Sequence, residues 1–164
     1  KIGVENRGWY VATTALDFER SGIERKLVAR SDWYRIRNVI SSGVFAGTLA
    51  ARPSVWRHGL ADLYIAVEAG QWMARRVAYL QSKGIVPNYE SSMSKTFNSE
   101  LGQRVADFGI NLFGLRGQVR KGPGAAAEGA LAFRYLDSRR LTIGQGSSEI
   151  NRNIIATRGL GLPR

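Results

Sequence analysis

The sequence predicts an all-α protein, an antiparallel up-down-up-down helical bundle of three long helices followed by two shorter ones. Apolar residues recur three and four apart along most of the chain, the spacing that gathers them on one face of a helix. Strict apolar-polar alternation over strand lengths is missing. Glycine, proline and serine interrupt the periodic stretches at intervals that suit long helices with short connections, which is the pattern of a bundle.

The first helix is expected from Val11, Ala12, Ala15, Leu16, Ile23 and Leu27 through Tyr34, Ile36 and Ile40, stopped by the Ser41-Ser42-Gly43 turn. Residues 43–54, "GVFAGTLAARPS", read as a connection. The second helix carries a seam at Leu60, Leu63, Val67, Gly70, Ala74 and Val77, and ends at Lys83-Gly84, a basic last turn before a helix-stopping glycine. Asn88 or Ser91 caps the third helix, whose buried stripe is expected at Met93, Phe97, Leu101, Val105, Phe108 and Leu112. "GLRGQVRKGPGAAAEG" has too many glycines for a helix and reads as a surface loop. A fourth helix follows around Ala130 to Arg139. A fifth runs from Ser147 or Ser148 to Arg158, with Glu149 in its first turn, Arg158 in its last and Gly159 at its stop.

At 164 residues the chain is the size of one domain. No apolar run approaches the roughly 20 residues of a membrane span. Without cysteine, disulfides and thiolate chemistry are excluded, and a single histidine argues against a metal site. Lys1 begins the chain and no signal-peptide pattern follows, so a longer parent and cytoplasmic residence are expected. The net charge of +11 asks for an anionic partner. Basic residues are spread along every segment rather than massed in an arm, so nucleic acid is not the expected partner and solvated helix faces account for most of the charge.

Two stretches carry chemistry. "GQGSSE" at 144–149 sets backbone N–H groups and two hydroxyls at a helix start, where an anion is favoured. The plainer reading is that Ser147 or Ser148 caps its own helix. Gln145 exchanges no proton, and Glu149 at a helix start suits the dipole better than catalysis. In "ALDFERSGIERK", Asp17, Glu19 and Arg20 share one helical turn. Glu19 lies among Leu16, Phe18 and Ile23, and partial desolvation there raises a carboxyl toward the range of a general base. The competing reading is a surface glutamate paired with an arginine. His58 has no nucleophile pattern around it, and Trp9, Trp33, Trp56 and Trp72 suit a core or an interface better than base stacking.

"GVENRGWYVA", "LDFER", "ESSMSKTFNSELGQRVADFGINLFGLRG" and "YLDSRRLTIGQGSSEINRNIIATRGLGLPR" together resemble the C-terminal helical domain of the acyl-CoA dehydrogenases, in order and spacing across essentially the whole chain. The last stretch is similar to the family's "R-x-x-x-I-x-x-G-T-S-E-I-x-R-N-I-I-A". The resemblance implies that residues 1–9 close a preceding middle β domain and that residues 10–164 form the four-helix-bundle domain. It implies FAD as cofactor, an acyl-CoA thioester as substrate, an electron-transfer flavoprotein as electron acceptor, and assembly as a homodimer, a homotetramer or a heteromer with a homologous subunit.

Many members of that family carry the catalytic glutamate in the turn before the last helix, where this chain has Gln145. Members similar to the isovaleryl-CoA and long-chain enzymes carry it in "L-D-x-E-R", so the resemblance implies Glu19 as the catalytic base. It likewise places Arg20 beside the base, Asp17 toward the CoA portion, and Ser147 and Glu149, with Gln145, against the FAD. Two departures stand out. The family's "R-x-x-F-G" is replaced by "SSGVFAG", with Ser42 near the arginine position, and its "Q-x-x-G-G" is reduced to Asn111 and Gly114, with Leu115 in place of the second glycine. These changes motivate the alternative expectation of a non-catalytic or half-site subunit with weakened flavin contacts.

Overall fold

A proline ring fixes φ near its helical value and brings no N–H that needs a partner, so Pro53 can open the longest helix among the described residues rather than close the preceding connection. In the computed structural model, which describes residues 3–13, 28–43 and 47–163, the helices are α1 (Val28–Ser41), α2 (Pro53–Ser82), α3 (Tyr89–Phe113), α4 (Leu115–Gln118), α5 (Ala130–Leu141) and α6 (Ser148–Ile154). Residues 8–13 are also helical, and no strand occurs among the described residues. The start expected for the first helix, at 14–27, lies outside the described residues; its end at Ser41 agrees with expectation. None of the helices among the described residues is long and apolar enough to cross a membrane.

The expected seam of α2 is buried at every position from Leu60 to Val77. Lys83 sits at the cap of that helix, and Gly84 beyond it adopts a left-handed φ of 73°. The core joins Trp33 and Ile36 of α1, Leu63 and Val67 of α2, Leu101, Val105 and Leu112 of α3, and Leu131 of α5. Burying each such side chain stabilises the fold by roughly 1.5–3 kcal/mol. The Trp33 indole N–H donates to the Leu60 carbonyl at 2.8 Å, so its polar edge is satisfied inside the core. Trp56 is half-buried, while Trp9, Trp72 and His58 are exposed.

α3 differs most from expectation, because it is the central helix. It packs against α1, α2, α5 and α6, so it is covered on several sides rather than along one stripe. Of the predicted stripe, Leu101, Val105 and Leu112 are buried, Phe97 and Phe108 are half-buried, and Met93 is exposed. Small polar residues take the remaining buried positions, among them Ser91, Ser92, Ser94 and Ser99. Ser91 is therefore inside the helix and not its cap; Asn88 holds the cap position but its side chain forms no capping bond. Small residues let neighbours come close. A methyl added at Gly109 would stand 3.0 Å from Ile36 Cδ1 of α1, and one at Gly102 would stand 3.0 Å from Leu141 Cδ1 of α5.

The stretch 114–129, expected to be a plain loop, contains the one-turn helix α4 and a second short turn. Gly117 is buried against Ile110 and Phe113, which folds α4 back onto the end of α3. Ala127, Glu128 and Gly129 follow one another in the left-handed region, with φ of 50°, 55° and 82°. Only glycine fits the third place, since a methyl there would sit 1.9 Å from the Arg120 carbonyl oxygen. The last helix ends earlier than expected, at Ile154, and a π-helical turn, Ile155–Gly159, completes the expected span. Gly159 lies against the Tyr89 ring, where a methyl would approach to 3.1 Å.

Candidate cofactor site

The Gly-Gln-Gly-Ser-Ser turn is built by two residues of positive φ and anchored by a lysine and an asparagine. Gln145 takes a φ of 64° and Gly146 one of 90°, which reverses the chain between α5 and α6. Lys95 of α3, 6% exposed, donates from Nζ to the Gly146 carbonyl at 2.6 Å. Asn151, fully buried, donates from Nδ2 to the same carbonyl at 2.8 Å and to that of Ser147 at 2.9 Å. The Lys95 bond is charge-assisted, a kind about twice as strong as a neutral one, and it ties the turn to α3.

Ser147 does what the plainer reading expected: it caps α6, accepting from the Ile150 N–H at 3.4 Å. Ser148 lies buried with its hydroxyl unpartnered, as does the Asn151 carbonyl oxygen. Glu149 is exposed. The Ser147 hydroxyl, then the local backbone N–H, hold its carboxyl below the usual carboxylate range. A carboxylate made less basic in this way is unsuited to deprotonating a substrate near neutral pH.

Asn111 and Gly114 lie at the other end of α3. Together with Thr48, Arg52 and Arg116 they line a cavity of about 680 Å³. That volume is within the range of roughly 300–1,000 Å³ typical of small-molecule sites. Among the described residues, two guanidiniums, a hydroxyl and a carboxamide border it, and no carboxylate does. This donor set fits the phosphate-bearing half of a dinucleotide such as FAD. Ser42 is elsewhere: its hydroxyl donates to the Val39 carbonyl at 2.7 Å, and it lines a separate cavity with Tyr34, Arg35 and Glu128.

The two groups of predicted cofactor residues are not brought together. Sixteen residues of α3 separate Lys95, at the turn, from Asn111, which at 1.5 Å per residue is about 24 Å. Asp17, Glu19 and Arg20 lie outside the described residues. Sequence reading overlooked Lys95, Asn151, Arg52 and Arg116. For Lys95 a signal existed: Ser91 and Ser99, four residues to either side, share its helical face and are small enough to bring another segment close. For Arg52 the signal was a cation immediately before a helix-starting proline, a place that usually holds a hydroxyl or carboxylate.

The family described as "Acyl-CoA dehydrogenase, C-terminal domain" matches residues 6–160. Acyl-CoA dehydrogenase FadE26 of Mycobacterium tuberculosis is 27% identical over 169 aligned positions, covering 100% of this chain and 42% of that protein. Among solved structures, the Tcur3481-Tcur3483 steroid ACAD is 26% identical with a TM-score of 0.84, over 99% of this chain and 41% of that one. The ChsE4-ChsE5 complex from Mycobacterium tuberculosis contains a chain 26% identical with a TM-score of 0.83, over 99% of this chain and 42% of that one. The chain thus spans well under half the length of these relatives.

Proposed function

The chain belongs to the acyl-CoA dehydrogenase family as its C-terminal domain, and from that premise we propose that it forms part of a flavin-dependent enzyme that converts an acyl-CoA thioester to the trans-2-enoyl-CoA. Bound FAD supplies the acceptor for the β hydrogen, which leaves as hydride. Glu19 takes the α proton, since Gln145 has no basic oxygen and Glu149 is held charged and weakly basic. Arg20 orders the pocket beside the base, and Asp17 approaches the CoA portion. Residues 1–9 lead in from a preceding domain, 10–164 form the bundle, and an electron-transfer flavoprotein accepts the electrons.

The observation that carries this reading is the family match over residues 6–160, on a fold that keeps the turn before α6. The separation of about 24 Å between the turn and the Asn111 cavity favours a shared arrangement. In it, Gln145, Ser147 and Glu149 meet one cofactor while Asn111 and Gly114 meet that of a neighbouring subunit, which makes a homodimer or homotetramer the functional unit. The test is Glu19→Gln in the full-length protein that carries this chain, followed by anaerobic reduction of its flavin with a panel of acyl-CoA thioesters. The expected result is a fall of at least about 100-fold in the reduction rate with the flavin spectrum and melting temperature unchanged. Equal rates refute Glu19 as the base.

A second reading is favoured by Ser42 near the family's arginine position and by the likeness to a chain of the ChsE4-ChsE5 complex. In it, the chain belongs to one subunit of a heteromer whose homologous partner carries the stronger flavin contacts. Flavin content separates the two: about one per subunit in the purified protein supports the first, and retention only after adding the partner supports the second.

A further inference from the structure

We propose that the outward face of α2, with the residues just beyond its end, binds the surface of an anionic lipid membrane. Ile65, Trp72 and Tyr79 stand seven residues apart, two turns of helix each time, so they form one row. Their exposures are 66%, 64% and 61%. The buried seam of Leu63, Val67, Ala74 and Val77 occupies the opposite side of the same helix, which turns the row away from the core. At 1.5 Å per residue the row is about 21 Å long. Beyond the helix stop, Ile85 and Val86 are exposed as well.

The charges around this row have one sign. Arg75 and Arg76 lie to either side of Trp72 on the helix surface, and Lys83 follows Tyr79 by one turn. The Arg75 guanidinium stands over the Trp72 ring at 4.6 Å from its centroid, and Lys83 Nζ over the Tyr79 ring at 5.6 Å. The sequence has no carboxylate side chain between Glu68 and Glu90. Among the described residues none of these three cations is held in an ion pair; the pairs engage Arg35, Arg134, Arg139, Arg140 and Arg152 instead. All three are exposed and open to an external anion.

Aromatic rings interleaved with cations on an exposed helix face match the chemistry of a lipid interface. Tryptophan and tyrosine settle at headgroup depth because each joins an apolar body to a polar edge. Isoleucine and valine reach the acyl boundary, while arginine and lysine extend along their stems to the headgroup phosphates. The surface is a ridge rather than a cleft, which suits a planar bilayer. Since α2 is not long and apolar enough to span, the binding is peripheral. None of these residues lines the Asn111 cavity or forms the turn before α6, so the surface is separate from the flavoenzyme reading.

The test is co-sedimentation of the full-length protein that carries this chain with vesicles of phosphatidylcholine, alone or mixed with phosphatidylglycerol. The proteins are wild type, Trp72→Ser/Tyr79→Ser, Arg75→Gln/Arg76→Gln/Lys83→Gln, and Arg104→Gln as a control exposed on α3. All the altered residues are exposed, so melting temperatures should stay close to wild type. Wild type is expected to bind the anionic vesicles and not the neutral ones, and to be released as salt rises from about 0.1 M to about 1 M. Affinity should fall at least about 10-fold in the serine variant. At about fivefold for each cation it should fall roughly 100-fold in the glutamine variant, with the control unchanged. Brominated acyl chains should quench the tryptophan emission of wild type more than that of Trp72→Phe, which sets that ring at the bilayer. No binding of wild type to anionic vesicles, or equal binding by all four proteins, overturns the proposal. So does a loss of oligomer mass in the serine variant with its vesicle binding unchanged, which assigns the row to a contact between copies.

Discussion

Asp32 is 3% exposed and lies between two guanidiniums, paired with Arg35 on its own helix and with Arg134 of α5 at 3.3 Å. Burial raises its carboxyl above the ordinary 3.8, and this outweighs the opposite pull of Arg134 and then Arg35. The folded chain therefore holds the Asp32 proton to higher pH than the unfolded chain does. Its contribution to stability is complete below about pH 4 and is lost as pH rises through the raised folded value. Asp32→Asn keeps the shape of the side chain and removes its titration, so it isolates the pH-dependent part of that contribution. Urea melts of both proteins from pH 4 to pH 7 should give a difference that moves in the variant's favour as pH rises. A difference independent of pH contradicts the assignment. The sequence gives no hint of this triad, because Asp32 and Arg134 are a hundred residues apart in numbering and meet only when α1 and α5 pack near one another.

At the scale of one element, the turn before α6 is held from two directions, by Lys95 of α3 and by Asn151 one turn into the helix. Asn151→Ala removes two bonds to part-buried carbonyls, and at about 1 kcal/mol each the variant should lose roughly 2 kcal/mol. Amide exchange should quicken first over residues 144–148, ahead of α3. Uniform acceleration along the chain would place the role of Asn151 in global packing instead. The turn itself was legible. Glycines around Gln145, a serine cap and an acidic first turn are local signals, and Ser147 accepts from Ile150 as that pattern requires. The end of the helix was less so, because the change to a π-helical turn at Ile155 is accompanied by the close contact of Gly159 with Tyr89, a residue 70 positions away in numbering.

At the scale of the whole molecule, α3 touches nearly every other helix, so a defect in it is felt throughout. Leu101, 1% exposed on that helix, is the test: Leu101→Ala should cost about 2–5 kcal/mol, with helical signal and tryptophan fluorescence lost in a single shared transition. Separate transitions for the two probes would mean that α3 does not unite the fold. The seam of α2 was fully predictable because that helix buries one face, and one face follows a fixed period. The predicted stripe of α3 failed at Met93 and missed the buried serines, since period marks a single buried face and α3 has several.

The sequence by itself determined the all-helical class, most helix ends, the cap and turn before α6, and membership of the family, because these depend on residues within a few turns of one another or on a motif read in order. Only the tertiary structure decided that α3 is central, that Lys95 secures the turn, that Arg52 and Arg116 face one cavity, and that this cavity lies about 24 Å from the turn. Those relations join residues far apart in the chain, and helical period says which residues share a face without saying which helix covers it.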